Sequence, residues 1–199
     1  MGDQGVDESK RATLRRFAAF GAATPLVKLS ADDDSDVREA IVGYLASTPG
    51  AHFSKIRDDL QLGTGETQHH LRRLEVAGTI EHRTDSEYKR YYPTDRFSTF
   101  EQQALGYLRR ETPRRMILAL LSDPETTASK IADRIEVSTA AISKYAADME
   151  SAGLLSRDEG YTLIRPETLL TLVLRYADSF GPAAVSMAND ADELLTYDP

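Results

Sequence analysis

Set against itself at an offset of 75 residues, the sequence repeats, and a chain that repeats in this way must fold as two like units. Ser54-Lys55-Ile56 falls on Ser129-Lys130-Ile131, Leu60 on Ile135, Leu62 on Val137 and Thr64 on Thr139. Leu74 falls on Met149, Ala77-Gly78 on Ala152-Gly153 and Ile80 on Leu155. Upstream, Ile41 falls on Met116 and Leu45 on Leu120. The register holds without a gap, so apolar stripes, turn and stop all coincide.

The better marked copy runs from Phe53 to Tyr92. Phe53, Ile56 and Leu60 fall on one face of a first helix, and Leu71, Leu74 and Ala77 on one face of a second. Gly63 and Gly65 lie between them, where a sharp turn is expected and a Cβ is a liability. Gly78 is expected to end the second helix. Ile80, His82, Tyr88, Tyr91 and Tyr92 then flank the polar tip Thr84-Asp85-Ser86-Glu87, a hairpin pattern. Helix, turn, helix and β-ribbon in this order make a winged helix-turn-helix, a DNA-binding architecture. The expected fold class is mostly α with small β-wings (α+β), two such domains in tandem with added terminal helices.

The chain divides accordingly. Residues 1–35 read as a basic amphipathic helix (8–23, with Leu14 and Phe17 on its apolar face) and a solvated acidic linker, Asp32-Asp33-Asp34-Ser35-Asp36. The helix can serve as a packing arm, a dimerisation helix or a DNA-backbone contact. Domain 1 covers 36–96, opening with a helix from Val37 to Ser47 that Pro49-Gly50 stops. A connecting helix covers 97–111, with Ser98 and Glu101 forming a capping box. Domain 2 covers 112–165. Residues 166–199 hold an apolar helix after Pro166, a Gly181-Pro182 break, a weak helix from Ala183 to Leu195 and an acidic end.

Composition narrows the function. The net charge of −8 opposes phosphate binding, but Arg outnumbers Lys by 18 to 6, and Arg reads bases and phosphates better. With no Cys, disulfides, zinc ribbons, thiol sensors and cysteine nucleophiles are excluded. No apolar run is long enough to span a membrane. Thr13-Leu14-Arg15-Arg16-Phe17 has the look of a twin-arginine signal, but the apolar stretch after it is short, so a cytoplasmic location is expected. No GxGxxG, GxxxxGK[ST] or GxSxG motif is present, so no enzyme is expected, and no cofactor.

The second helix of domain 1 carries Thr64, Glu66, Gln68, His69, Arg72 and Arg73 away from its apolar stripe. Of these, Thr64, Gln68, His69, Arg72 and Arg73 are the candidate major-groove contacts. The bland reading is an ordinary solvated helix face. Arg83, Lys89 and Arg90 on the wing are candidate phosphate contacts; alternatively they protect a hairpin edge. Ser138, Thr139, Ser143 and Lys144 are secondary candidates in domain 2, whose shorter wing turns at the acidic Asp158-Glu159-Gly160. His69 and His70 point about 100° apart on a helix and no His-x₃-His spacing occurs, so no metal site is expected. His70 is expected to pack toward the wing. Leu169, Leu170, Val173, Leu174 and Phe180 lie on an apolar helix that must bury against something, and are the candidate dimerisation residues.

Thr67 to Ile80 follows a TxxHLRRLExAGxI pattern, and the surrounding SKIRDDLQLGTGETQHHLRRLEVAGTIEHR resembles the core of MarR/ArsR-like winged-helix regulators. The resemblance covers about residues 36–93, and 112–165 more weakly. It implies sequence-specific double-stranded DNA binding, commonly as a homodimer; a small-molecule effector is a further candidate partner, its identity open. The missing cysteines exclude the metal-sensing variant. The tandem arrangement and the acidic, Lys-poor composition resemble those of haloarchaeal two-unit regulators. The competing class is a winged-helix adaptor that binds protein, as in chromosome condensation or the basal transcription machinery.

Overall fold

In the computed structural model, which describes residues 10, 12–17, 33–85 and 87–190, the sequence repeat becomes a repeat of backbone. The chain forms two units, 1–97 and 98–199. Unit one holds α1 (Asp33–Ser47), β1 (Ala51–His52), α2 (Phe53–Asp59), α3 (Thr64–Val76), β2 (Ile80–Thr84) and β3 (Lys89–Pro93). Unit two holds α4 (Thr99–Leu108), α5 (Glu111–Ser122), α6 (Ala128–Ile135), α7 (Thr139–Ser151), β4 (Leu155–Ser156) and β5 (Thr162–Leu163). It ends with α8 (Pro166–Arg175), α9 (Ala177–Phe180) and α10 (Pro182–Asn189). Both units are winged helix-turn-helix folds, helices with small antiparallel sheets.

The 75-residue offset holds bond by bond. α3 and α7 begin and end at offset positions. Their N-caps are Gly63 and Ser138, and those of α2 and α6 are His52 and Thr127; His52, Thr127 and Ser138 each accept a backbone N–H through the side chain, which Gly63 cannot do. After α3, Gly78 takes φ 68° and Thr79 N–H donates to the Leu74 carbonyl at 3.0 Å. After α7, Gly153 takes φ 70° and Leu154 N–H donates to Met149 at 2.9 Å. This is one Schellman ending made twice, and glycine fits the left-handed position. A glutamate contact between helix and wing also repeats: Glu75 lies 2.6 Å from His82 Nδ1, and Glu150 pairs with Arg157 at 2.7 Å.

The tight turn differs from expectation. Its left-handed residues are Gln61 (φ 55°) and its counterpart Glu136 (φ 59°), not a glycine. Gly63 has φ −69° as the cap of α3, and Gly65 lies inside the helix, where an added Cβ would meet nothing within 4 Å. The turn therefore does not require either glycine.

In unit one the sheet order is β1-β3-β2, all antiparallel, with Ile80 opposite Pro93 and Thr84 opposite Lys89. β1 goes beyond the sequence reading. Pro49-Gly50 was expected only to stop a helix, but Gly50 (φ 78°) also turns the chain so that its N–H bonds the Tyr91 carbonyl at 2.9 Å. Unit two has only the two-residue pair β4-β5.

The core of unit one is built on Ile41, Tyr44, Leu45, Ile56, Leu60 and Leu71, each no more than 2 % exposed. Leu14 is buried among them, and the Phe17 ring meets Tyr44 edge-on at 5.2 Å. Of the three roles considered for the N-terminal helix, residues 10 and 12–17 take that of packing arm; the expected continuation over 18–23 lies outside the described residues. The acidic run is not a linker throughout. The backbone of Asp33 to Asp36 forms the first turn of α1, where the carboxylates of Asp34 and Asp36 favourably meet the positive end of the helix dipole, and Ser35 is buried. Residues 31 and 32 lie outside the described residues.

In unit two, α4 packs against α5 and α8, so the helix expected as a connector belongs to this core; its capping box forms as expected, with Ser98 Oγ accepting from Glu101 N–H. Three of the five candidate dimerisation residues, Leu169, Val173 and Phe180, belong instead to the core of unit two. Leu169 and Val173 are fully buried and Phe180 is 4 % exposed, all within unit two, while Leu170 and Leu174 are half-buried. A fully buried Leu or Val contributes about 1.5–3 kcal/mol, and that burial is already satisfied within the chain. The expected single apolar helix breaks at Tyr176. Of the expected final helix, residues up to Asn189 are helical and 191–195 lie outside the described residues.

Candidate nucleic-acid interface

α3 is amphipathic in a way that fixes its outward face. Thr67, His70, Leu71 and Leu74 are buried, and on a helix this leaves Thr64, Gln68, His69, Arg72 and Arg73 pointing outward, all exposed. Arg72 makes no hydrogen bond or ion pair among the described residues. Arg73 lies 3.7 Å from the Asp34 carboxylate at the start of α1. Glu66 does not share this face. Its carboxylate accepts from Gly63 N–H and from Lys10 Nζ, both at 3.0 Å, which closes the first turn and ties the N-terminal arm to α3. Burial raises its pKa, but these donors outweigh burial and leave it below the usual value.

His70 faces inward and meets α1, with Nε2 3.8 Å from Asp34, and does not reach the wing. Burial lowers its pKa, with His69 and Arg38 adding to the effect and Asp34 opposing it.

The wing candidates separate into three kinds. Arg83 is half-buried and makes no ion pair among the described residues. Lys89 lies 2.8 Å from Glu75 on α3 and stacks over the Tyr91 ring at 5.1 Å, so it braces the wing against the helix. Arg90 is the correction. It is 2 % exposed, its guanidinium pairs with Asp85 at the wing tip, and it donates to the Gly50 carbonyl at 3.1 Å. Its strand is the central one, bonded along both edges to β1 and β2, and the cation is held inward between the Gly50 turn and Asp85. A phosphate cannot reach it. Burial raises the Asp85 pKa, but the Arg90 guanidinium and the Glu87 and Tyr88 N–H groups hold it down to about 2.

Two features of the surface were missed in the sequence. Tyr88, 42 % exposed at the wing's shoulder, stacks on His52 at 4.5 Å. Gly65 leaves bare backbone on the first turn of α3. The alternation of the hairpin could have flagged Tyr88, whereas Gly65 was masked by its assignment to the turn.

The equivalent face of unit two is chemically different. Ser138, Thr139, Ser143 and Lys144 are all exposed, although Ser138 Oγ is engaged in capping α7. At the positions of Gly65, Arg72 and Arg73 stand Ala140, Ala147 and Asp148. The two arginines are thus replaced by a methyl group and a carboxylate.

No group of three or more His, Asp or Glu among the described residues is arranged to hold a metal ion, and no helix among them is long and apolar enough to cross a membrane. In comparison with known proteins, a family model described as an N-terminal HTH domain matches residues 35–105. A second, described as winged helix-turn-helix DNA-binding, matches residues 109–156. No curated protein matches the chain. Two helix-turn-helix domains in succession, each with its own wing, make this chain a tandem winged helix-turn-helix regulator of the DNA-binding class.

Proposed function

We propose that unit one reads duplex DNA by sequence, with α3 in the major groove and its wing along the backbone. The observation that carries this reading is the outward ridge Gln68, His69, Arg72 on a helix whose other face is fully committed to the core. Gln can pair with adenine and Arg with guanine. Phosphate contact is limited, because Lys89 and Arg90 are engaged within the protein and the net charge is −8. Affinity in this reading therefore rests more on base edges than on counterion release. A homodimer on a two-fold operator would pair through surfaces other than Leu169, Val173 and Phe180, which are already buried.

Unit two has a separate role in this reading. Ala140, Ser143 and Ala147, with Lys144 and Asp148 of opposite charge, give α7 a small face of no net charge, suited to a protein or effector contact rather than to phosphate. The test is binding-site selection from random duplexes, followed by titration of Arg72→Ala/Arg73→Ala on the selected site. Loss of more than about tenfold is expected, since a base-reading Arg contributes about 1–3 kcal/mol. Unchanged affinity, or no enriched sequence at all, would favour the adaptor reading.

A further inference from the structure

A corner of the fold that is filled in unit one is open in unit two. In unit one, Tyr44 of α1 packs beside α2, its ring covered edge-on by Phe17, and its hydroxyl donates to Asp59 Oδ2 at 2.8 Å. At the 75-residue offset, Tyr44 becomes Ala119 and Asp59 becomes Arg134. Where the ring would stand is a cavity of about 270 Å³ between α5, α6 and α10. Ile135 and Met187 add to its apolar lining, and Arg115 and Arg134 contribute two cations. Neither arginine has an ion-pair partner among the described residues, and Asp190 at the same opening lies beyond ion-pairing distance of both.

We propose that this cavity binds a small organic carboxylate with a compact apolar body, an aromatic acid being the closest fit. The size points to a ligand smaller than drug-like molecules, whose pockets run to roughly 300–1,000 Å³. The charge points to an anion, since guanidinium groups match a carboxylate fork-to-fork. The internal comparison points to the body: unit one fills this corner with an aromatic ring whose polar end meets the residue at the Arg134 position. In unit two the sign at that position is reversed, so the ligand must bring the negative charge that Asp59 supplies in unit one. Such a ligand would join α10 to α5 and α6. The proposal does not depend on DNA reading by unit one.

The experiment is calorimetric titration of the full chain with benzoate and with hexanoate, against benzamide and inorganic phosphate. Binding of at least one carboxylate is expected, with benzamide and phosphate each at least about tenfold weaker, as loss of a charge-assisted pair or of the apolar contact requires. Arg134→Gln should weaken carboxylate binding by a similar factor. Ala119→Tyr/Arg134→Asp, which copies the unit-one pair, should abolish binding while melting no lower than the parent. Because that variant refills the cavity, it separates loss of binding from loss of fold. Equal binding of benzamide or phosphate, an unaffected Ala119→Tyr/Arg134→Asp variant, or no binding of either carboxylate overturns the proposal.

Discussion

Arg90→Met separates a structural arginine from a DNA-contacting one. The guanidinium is replaced by a side chain of similar length that keeps the apolar stem but gives up Asp85 and the Gly50 carbonyl. The Asp85 carboxyl sits at about 2 against an ordinary 3.8, a difference of about 2.4 kcal/mol between its charged and neutral forms at about 1.36 kcal/mol per unit. Arg90 supplies the largest favourable share of this, with the two backbone N–H groups supplying the rest. Removing one partner of a buried pair costs about 3–5 kcal/mol, and Asp85 is partly open to water at 19 %, so a loss of about 2–4 kcal/mol follows. For a domain of this size each kcal/mol moves the melting point by about 4–8 °C, so the unit-one transition should fall by roughly 8–32 °C. The assay is thermal unfolding followed by near-UV dichroism of the tyrosines, paired with DNA titration at several salt concentrations below the transition. A carboxylate with a lowered pKa contributes stability above its unfolded value and loses it as pH falls toward its folded value. The gap between parent and variant should accordingly be steady above pH 5 and narrow from about pH 4 toward pH 2. If the variant melts within about 2 °C of the parent and its salt dependence drops by one phosphate contact, Arg90 reads DNA and the structural account fails.

Gly65→Ala should stabilise α3 by about 0.5 kcal/mol, because its left-open Cβ position meets no neighbour and unit two already carries Ala140 there. The same variant should weaken DNA binding if the bare backbone lies against the duplex, and tighter binding would contradict that placement. Burial lowers the pKa of both His52, aided by Arg90 and Lys55, and His70, so their contribution to unit one is present above about pH 6.5 and lost as pH falls below it. Urea midpoints at pH 7.5 and 5 should record this loss, and His52→Asn, which keeps a capping acceptor, should reduce it; an unaltered pH dependence would exclude His52 as a contributor. Truncation after Arg165 should abolish cooperative unfolding of unit two, since Leu169, Leu172 and Val173 leave its core. A truncated chain that keeps both transitions would return α8 to the surface.

Much of this architecture was legible in the residues because apolar spacing and glycine stops are local signals. The 75-residue offset located both helix-turn-helix pairs and both Schellman endings. What escaped was decided by long-range pairing. β1 is two residues whose strand character exists only because β3 lies beside them. Arg90 reads as a wing cation until β3 proves to be the central strand, with Asp85 in place to meet it. Asp34 and Asp36 read as linker because their charges suggested solvent, yet a helix N-terminus welcomes the same charges. The apolar stretch 169–180 was recognised as needing a partner, and sequence could not say that α4 and α5 of its own unit supply it.

The doubled backbone has a consequence for how such a chain can hold two occupations. The buried stripes of α3 and α7 are matched in position, Thr67 with Ile142, Leu71 with Ala146 and Leu74 with Met149, and these secure each helix on its own bundle. The outward residues carry none of that load, so they are free to differ, as Arg72 and Ala147 do. Scaffold and message are therefore written on opposite sides of one cylinder. A single design can thereby present a cationic edge in one domain and a surface without those arginines in the other, without altering the left-handed turn or the glycine stop that both domains share.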